Sequence, residues 1–270
     1  MKKIITTCIA ILSLGLSNAQ TNKTISSSAE IKKNITNYSK SLEKTTRAGS
    51  ALKLSNYYKA DDGSFIFVRQ IGTMVYAMTD RYDRRASAVW VGKIEGRKLK
   101  VNYYYMPKGK AKGQGTLVFD IGSSELKLTT PVPEFNFKSM QPMANLPAKL
   151  PIDNRAWYRG NTLDNLTGRF RGKNVGRMYI LDLEGQIIAY ARGSRLTSHT
   201  RPQFATLFLG KKEGLKIKGY YIDLPLGHTL GQGTTELDII GPQFVRSDRK
   251  HFFYGVDYFR DQTDNNEIIQ

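Results

Sequence analysis

The sequence predicts an all-β protein of two tandem antiparallel meander β-barrels, following a signal peptide and a short helix. Three observations lead there. The stretch PKGKAKGQGTLVFDI (Pro107 to Ile121) returns as PLGHTLGQGTTELDI (Pro225 to Ile239). Each copy lies in a series of short segments rich in β-branched and aromatic residues and separated by Gly, Asp or Pro. Within those segments apolar and polar residues alternate, the period of a strand with one buried face.

The first element is MKKIITTCIAILSLGLSNAQ. Lys2 and Lys3 precede an apolar run from Ile4 to Leu16, and small residues lead to Ala19, which reads as a secretory signal peptide cleaved after Ala19. The expected location is therefore the periplasm or the medium. The one cysteine, Cys8, leaves with residues 1–19, so a mature chain of 251 residues has neither disulfides nor thiol chemistry. Its 39 basic residues, 41 less the two signal lysines, stand against 23 acidic ones, a balance of +16. Such a surface attracts anions: acidic polysaccharide, lipopolysaccharide, phospholipid headgroups or, less favoured, nucleic acid.

Residues 20–50 form the next region. Ser27 with Glu30 three positions on makes a capping box, and Ile31, Ile35, Tyr38 and Leu42 fall at helical spacing. A short amphipathic helix is expected there. Two repeat units follow, at 51–140 and 154–262, joined by the proline-bearing linker 141–153 (Pro142, Pro147, Pro151) and closed by a tail at 263–270.

The repeat is strongest downstream. Val89 to Ile121 matches Leu207 to Ile239 at 15 of 33 positions without a gap, at an offset of 118 (114 to 232). Upstream, GSFIFVRQIGTMVYA (Gly63 to Ala77) overlays GRMYILDLEGQIIAY (Gly176 to Tyr190) at an offset of 113, with a five-residue difference taken up in RGSRLTSHTRP. That is the signature of an internal duplication.

Unit one divides into strands near 53–59, 64–71, 73–79, 87–95, 98–106, 116–121, 125–129 and 134–138. Unit two continues with 178–183, 186–191, 205–212, 216–224, 234–240 and 256–260. Leu117, Phe119 and Ile121 alternate with Thr116, Val118 and Asp120, and Leu99, Val101 and Tyr103 with Lys98, Lys100 and Asn102. One face is expected in the core and the other in water. A sheet with one apolar face buries it by closing into a barrel, which also removes its edges; a β-sandwich is the alternative.

In the repeated loop, Pro107 and Pro225 suit a strand end, since proline donates nothing to a ladder. Gly109, Gly113 and Gly115, with Gly227, Gly231 and Gly233, permit positive φ in a reversal. Gln114 and Gln232 are placed to tie the loop by hydrogen bonds. If the loop also rims an anion site, Lys108, Lys110 and Lys112 would serve it in unit one, whereas unit two has Leu226, His228 and Leu230.

Asp120 and Asp238 are matched outward carboxylates, with Lys100 and Lys218 expected as cross-strand partners. No metal, cofactor or catalytic set is expected: His199, His228 and His251 stand apart, and no G-x-S-x-G elbow occurs. Trp90, Phe208, Tyr103 and Tyr221 are expected to fill barrels. Outward aromatics such as Tyr220, beside Lys216 and Lys218, would grip a sugar or nucleic acid together with the lysines.

The series DGSFIFVRQIG, a Trp-containing strand and PKGKAKGQGTL resembles a module of secreted bacterial proteins of the calycin type, the lipocalin- and avidin-like barrels. The resemblance implies small barrels, and with them a carrier role for an apolar ligand. The lipocalin Gly-x-Trp entrance motif is absent, since Arg155 stands two residues before Trp157. The leading expectation is a non-catalytic exported protein binding an anionic polysaccharide or envelope surface through Lys98, Lys100, Lys108, Lys110, Lys112, Lys216, Lys218 and Tyr220. An apolar-ligand carrier is the alternative and a polysaccharide hydrolase the third reading.

Overall fold

The computed structural model describes residues 52–80, 86–109, 111–130, 132, 135–145, 164–172, 176–193, 204–227, 229–241, 244–247 and 257–260. The expected signal peptide, the N-terminal helix, Lys110, Trp157 and all three histidines lie outside them.

The described residues are all-β, in two antiparallel rings of eight strands each. The first contains β1 (Tyr57–Ala60), β2 (Phe65–Ile71), β3 (Met74–Asp80), β4 (Ala86–Glu95), β5 (Lys98–Gly109), β6 (Gln114–Ile121), β7 (Leu126–Leu128) and β8 (Ser139–Pro142). Each strand pairs with the next, and β8 closes on β1 with Tyr58 opposite Pro142. The second contains β9 (Gly168–Gly172), β10 (Gly176–Leu183), β11 (Gln186–Gly193), β12 (Phe204–Glu213), β13 (Lys216–Asp223), β14 (Gln232–Gly241), β15 (Phe244–Ser247) and β16 (Asp257–Arg260), with β16 closing on β9.

Two boundaries differ from expectation. The last strand of the first ring is 139–142, not 134–138, because Phe135 and Phe137 are used to fill the interior. Gln141 and Pro142, expected in the linker, are the strand that shuts the barrel.

Ladder register gives the correspondence of the repeats. Ala77 faces Trp90, which faces Tyr103, which faces Gly115. Ala189 faces Phe208, which faces Tyr221, which faces Gly233. From β4 onward the offset is 118 (90 to 208), as the sequence indicated. In β1 to β3 it is 112 (77 to 189), not 113, and six residues rather than five separate the two connections before β4 and β12. Because side chains alternate, the one-residue slip matters: an offset of 113 lays inward Val75 on outward Ile188.

Both interiors are filled. Trp90 stacks on Phe119 at 5.5 Å between ring centroids, and Phe135 meets Tyr103 edge-on at 4.8 Å. In the second barrel Phe170, Phe208, Tyr258, Met178 and Ile217 occupy the same space.

The expectation of one wet face fails for at least four of the sixteen strands. All seven residues of β3 are buried, and in β10 to β12 burial runs through both faces. The outward side chains of the two barrels pack on each other in a third apolar cluster. Its members are equivalent positions of the two repeats: Phe67 and Tyr179, Tyr76 and Ile188, Met78 and Tyr190, Val89 and Leu207, Val91 and Leu209, Tyr104 and Ile222. The same face of each repeat thus meets its counterpart, as in a two-fold dimer interface. The Tyr57 hydroxyl donates to the Pro225 carbonyl at 2.8 Å and Arg69 Nη2 to the Leu230 carbonyl at 2.9 Å, both across this seam.

Candidate functional site

The GQGT loop is closed by the same backbone contact in both units. Tyr105 N–H donates to the Gly113 carbonyl at 3.0 Å, and its equivalent Asp223 N–H to the Gly231 carbonyl at 2.9 Å, so both units keep one reversal. Gly113 has the expected positive φ of 116°, whereas Gly115, Gly227, Gly231 and Gly233 do not. Gly115 and Gly233 serve another purpose. A Cβ on Gly115 would lie 2.8 Å from the Tyr103 ring, and one on Gly233 would lie 3.1 Å from the Tyr221 ring. Each glycine is the seat for the tyrosine directly opposite it. Gly227 is needed for close backbone approach, since its Cβ would lie 2.7 Å from Phe204 Cα.

Gly231 N–H also donates to Asp223 Oδ2 at 2.8 Å. Gln114 and Gln232 enter the ladder opposite Tyr104 and Ile222. Pro107 is not at a strand end: it lies inside β5 where the register shifts between Ala86 and Ala88, a bulge that tolerates its missing donor. Pro225 does follow its strand.

The proposed lysine set comes apart. Lys98 pairs with Asp120 at 2.9 Å, and Lys216 with Glu236 at 2.9 Å and Asp238 at 3.7 Å. Lys98 and Lys216, not Lys100 and Lys218, face the two aspartates in register. Lys218 reaches Glu213 at 3.5 Å, and Lys93 is paired with Glu95, whose carboxyl that contact holds below its ordinary range. At this end of the barrels Lys93, Lys98, Lys216 and Lys218 each lie beside a carboxylate. Lys100 and Lys112 are exposed. Tyr220 is no solvent-facing gripper: it is partly buried against the inter-barrel cluster.

Lys108 is the clearest correction. Lys108, beside the bulge at Pro107, lies in the seam, where its ammonium reaches Asp80 Oδ1 at 2.5 Å and its side chain is 1% exposed. Ser87 Oγ donates to the same oxygen at 2.7 Å, and Arg192 Nη1 lies 3.8 Å from Asp80 Oδ2. Burial alone would push the Asp80 carboxyl up. Lys108 and Arg192, with the hydrogen bonds from Lys108 and Ser87, overcome it and hold Asp80 below the usual carboxylate range. Asp80 and Arg192 are themselves equivalent positions, 112 apart, so the repeats have diverged to opposite charge where their shared face meets.

Arg192 belongs to a second group. In register, Phe259 on β16 faces Arg171 on β9, Arg171 faces Arg177 on β10, and Arg177 faces Arg192 on β11. Directly opposed residues share a face of the sheet at strand spacings of about 4.8 Å, so this row crosses the outside of the second barrel over roughly 15 Å. It begins at the seam and ends on Phe259, which is 52% exposed. Arg171 is exposed and Arg177 half-buried. Burial pushes the Tyr179 hydroxyl up to about 12, against the pull of Arg192, Arg169 and Arg177, which all lie close enough to act on it.

The equivalent row of the first barrel is Gln141, Lys59, Phe65 and Asp80, so the repeat geometry does not require arginine there. Sequence reasoning missed Arg171, Arg177, Arg192 and Phe259, because they are scattered over 89 positions (171 to 259) and only ladder register aligns them.

Among the described residues no group of three His, Cys, Asp or Glu side chains is placed to hold a metal ion, and no helix is long and apolar enough to cross a membrane. Asp182 accepts from the Leu166 and Gly185 N–H groups at 3.0 and 2.8 Å and lies 3.7 Å from Lys212, a structural role at the β10–β11 turn. Comparisons with models of protein families, with curated proteins and with solved structures found no match.

Proposed function

We propose that this chain is an exported, non-catalytic binding protein, built on two calycin-like barrels, that engages an anionic polysaccharide or envelope surface. The observation that carries the proposal is the row Arg171, Arg177, Arg192. Three guanidinium groups standing in register on the outside of the second barrel concentrate positive charge along about 10 Å. An anionic ligand lying along the row is drawn to that charge. Arginine suits the task because its planar fork binds sulfate, phosphate or carboxylate in a bidentate manner.

The packed interiors support an exterior site. Trp90, Phe119, Phe135 and Phe137 pack together inside the first barrel, and Phe170, Phe208 and Tyr258 inside the second. The paired hairpin lysines are not part of the proposed surface.

Retention on a heparin column across a salt gradient tests the reading. The protein should elute well after a neutral control of its size, since each displaced counterion adds salt dependence. Arg171→Gln and Arg177→Gln should each elute earlier, while Lys98→Gln, which removes a cation already matched by Asp120, should barely move. Wild-type elution alongside the neutral control would sink the proposal.

A further inference from the structure

Resting on the anion-binding reading, we infer that the unit recognised at this site is an acidic sugar ring, a uronate or sulfated pyranose, and that Phe259 is the residue that reads it. Phe259 is one of four large apolar side chains that stand more than half exposed among the described residues; the others are Leu215, Leu230 and Ile240. It alone stands directly opposite an arginine of the row. An exposed aromatic ring has an apolar face that water solvates poorly, and the axial C–H face of a pyranose complements it.

The order along the row gives the recognition its direction. Phe259 accepts the ring, Arg171 one strand away meets the acidic substituent of that same sugar, and Arg177 meets the next charge along the polymer. The strand spacing of about 4.8 Å is close to the advance of one sugar residue in an extended chain. Arg192, only 16% exposed and already beside Asp80, closes the row at the first barrel. A polyphosphate chain satisfies the arginines but offers nothing to Phe259. A single-stranded nucleic acid would engage both, through base stacking. Its phosphate and base lie on opposite sides of a sugar, so the adjacency of Phe259 to Arg171 favours a ring that bears its own charge.

The test uses the whole chain and three probes: a heparin-derived oligosaccharide, inorganic polyphosphate of similar charge, and a single-stranded oligonucleotide. Phe259→Ala should weaken the oligosaccharide about fivefold or more and leave polyphosphate within error, whereas Phe259→Trp should restore the sugar affinity. Arg171→Gln should weaken both. Phe259 is half exposed, so the fold should tolerate the change, and an unchanged thermal melt verifies this. Equal loss of oligosaccharide and polyphosphate binding in Phe259→Ala, or no loss of either, would overturn the sugar inference and leave the anion reading standing. An oligonucleotide that binds more tightly than the oligosaccharide with the same Phe259 dependence would also overturn it. If wild type binds none of the three, the proposed function itself fails.

Discussion

Asp80 brings a negative charge into a seam from which water is excluded, and two cations from different barrels meet it there. Breaking such a group by removing one partner leaves the others buried and uncompensated, which costs about 3–5 kcal/mol. Asp80→Asn should lower the stability of the folded chain by that amount in urea titrations. The pH dependence follows from the sign of the shift. Asp80 has a folded-state value below its unfolded one, so its contribution is present above the ordinary carboxylate range and lost as pH falls through the lowered folded value. The difference in urea midpoint between wild type and Asp80→Asn should therefore shrink in acid; a difference that grew there would contradict the assignment. Gly115 allows a second test at this scale. A methyl group there intrudes to 2.8 Å on Tyr103, but to only 3.1 Å at Gly233, where Tyr221 is less enclosed. Gly115→Ala should cost about 1–3 kcal/mol, in the range of overpacking, and Gly233→Ala less, as judged by thermal melts. Equal costs would remove the ring-seat explanation of the repeated motif.

At the level of strands, the meander and the closing pattern were legible because hairpins leave local marks. Alternation in Leu117-Val118-Phe119 and Leu237-Asp238-Ile239 identified the core face, and β4 and β12 lie at the offset of 118 that identity alone had given. What was not legible depends on contacts between strands distant in sequence. Identity cannot distinguish an offset of 113 from one of 112 where only glycines and apolar residues match; the ladders Ala77 to Trp90 and Ala189 to Phe208 can. Tyr104, Met106 and Lys108 followed the alternating pattern as outward positions, yet a second barrel covers them. The sign was present in MVYAM, QIIAYA and ATLFLG, which run apolar without alternation, the pattern of strands buried on both faces. The lysines drew attention to themselves in sequence by recurring in both repeats, yet Lys98, Lys216 and Lys218 lie beside carboxylates of their own hairpins. Arginines placed on three separate strands carry no such local mark.

For the molecule as a whole, the seam decides whether there are two independent domains or one folding unit. Each barrel has a packed interior and closed edges, as a domain that stands alone does; but the shared face is mainly apolar, largely buried and made mostly from matching positions of both repeats. Separating the barrels would expose Tyr76, Met78, Val89, Tyr190, Leu207 and Leu209 together, at a cost of about 25 cal/mol for each Å² of apolar surface returned to water. A domain carrying that patch has a strong drive to cover it, and the covalent duplicate supplies the complementary surface at high effective concentration. The chain should therefore unfold in one transition. The chain has two tryptophans, Trp90 and Trp157, so in a Trp157→Phe background the fluorescence of Trp90 reports on the interior of the first barrel alone. Leu207→Ala lies wholly in the second barrel, in the seam, and should destabilise by about 2–5 kcal/mol. If the barrels unfold together, the Trp90 transition moves to lower denaturant by the full amount, in step with the far-ultraviolet signal. A Trp90 midpoint that stayed in place while part of the β signal melted earlier would mean that the seam joins two separately stable bodies, and the arginine row would then have to bind without the fixed Asp80 contact at its end.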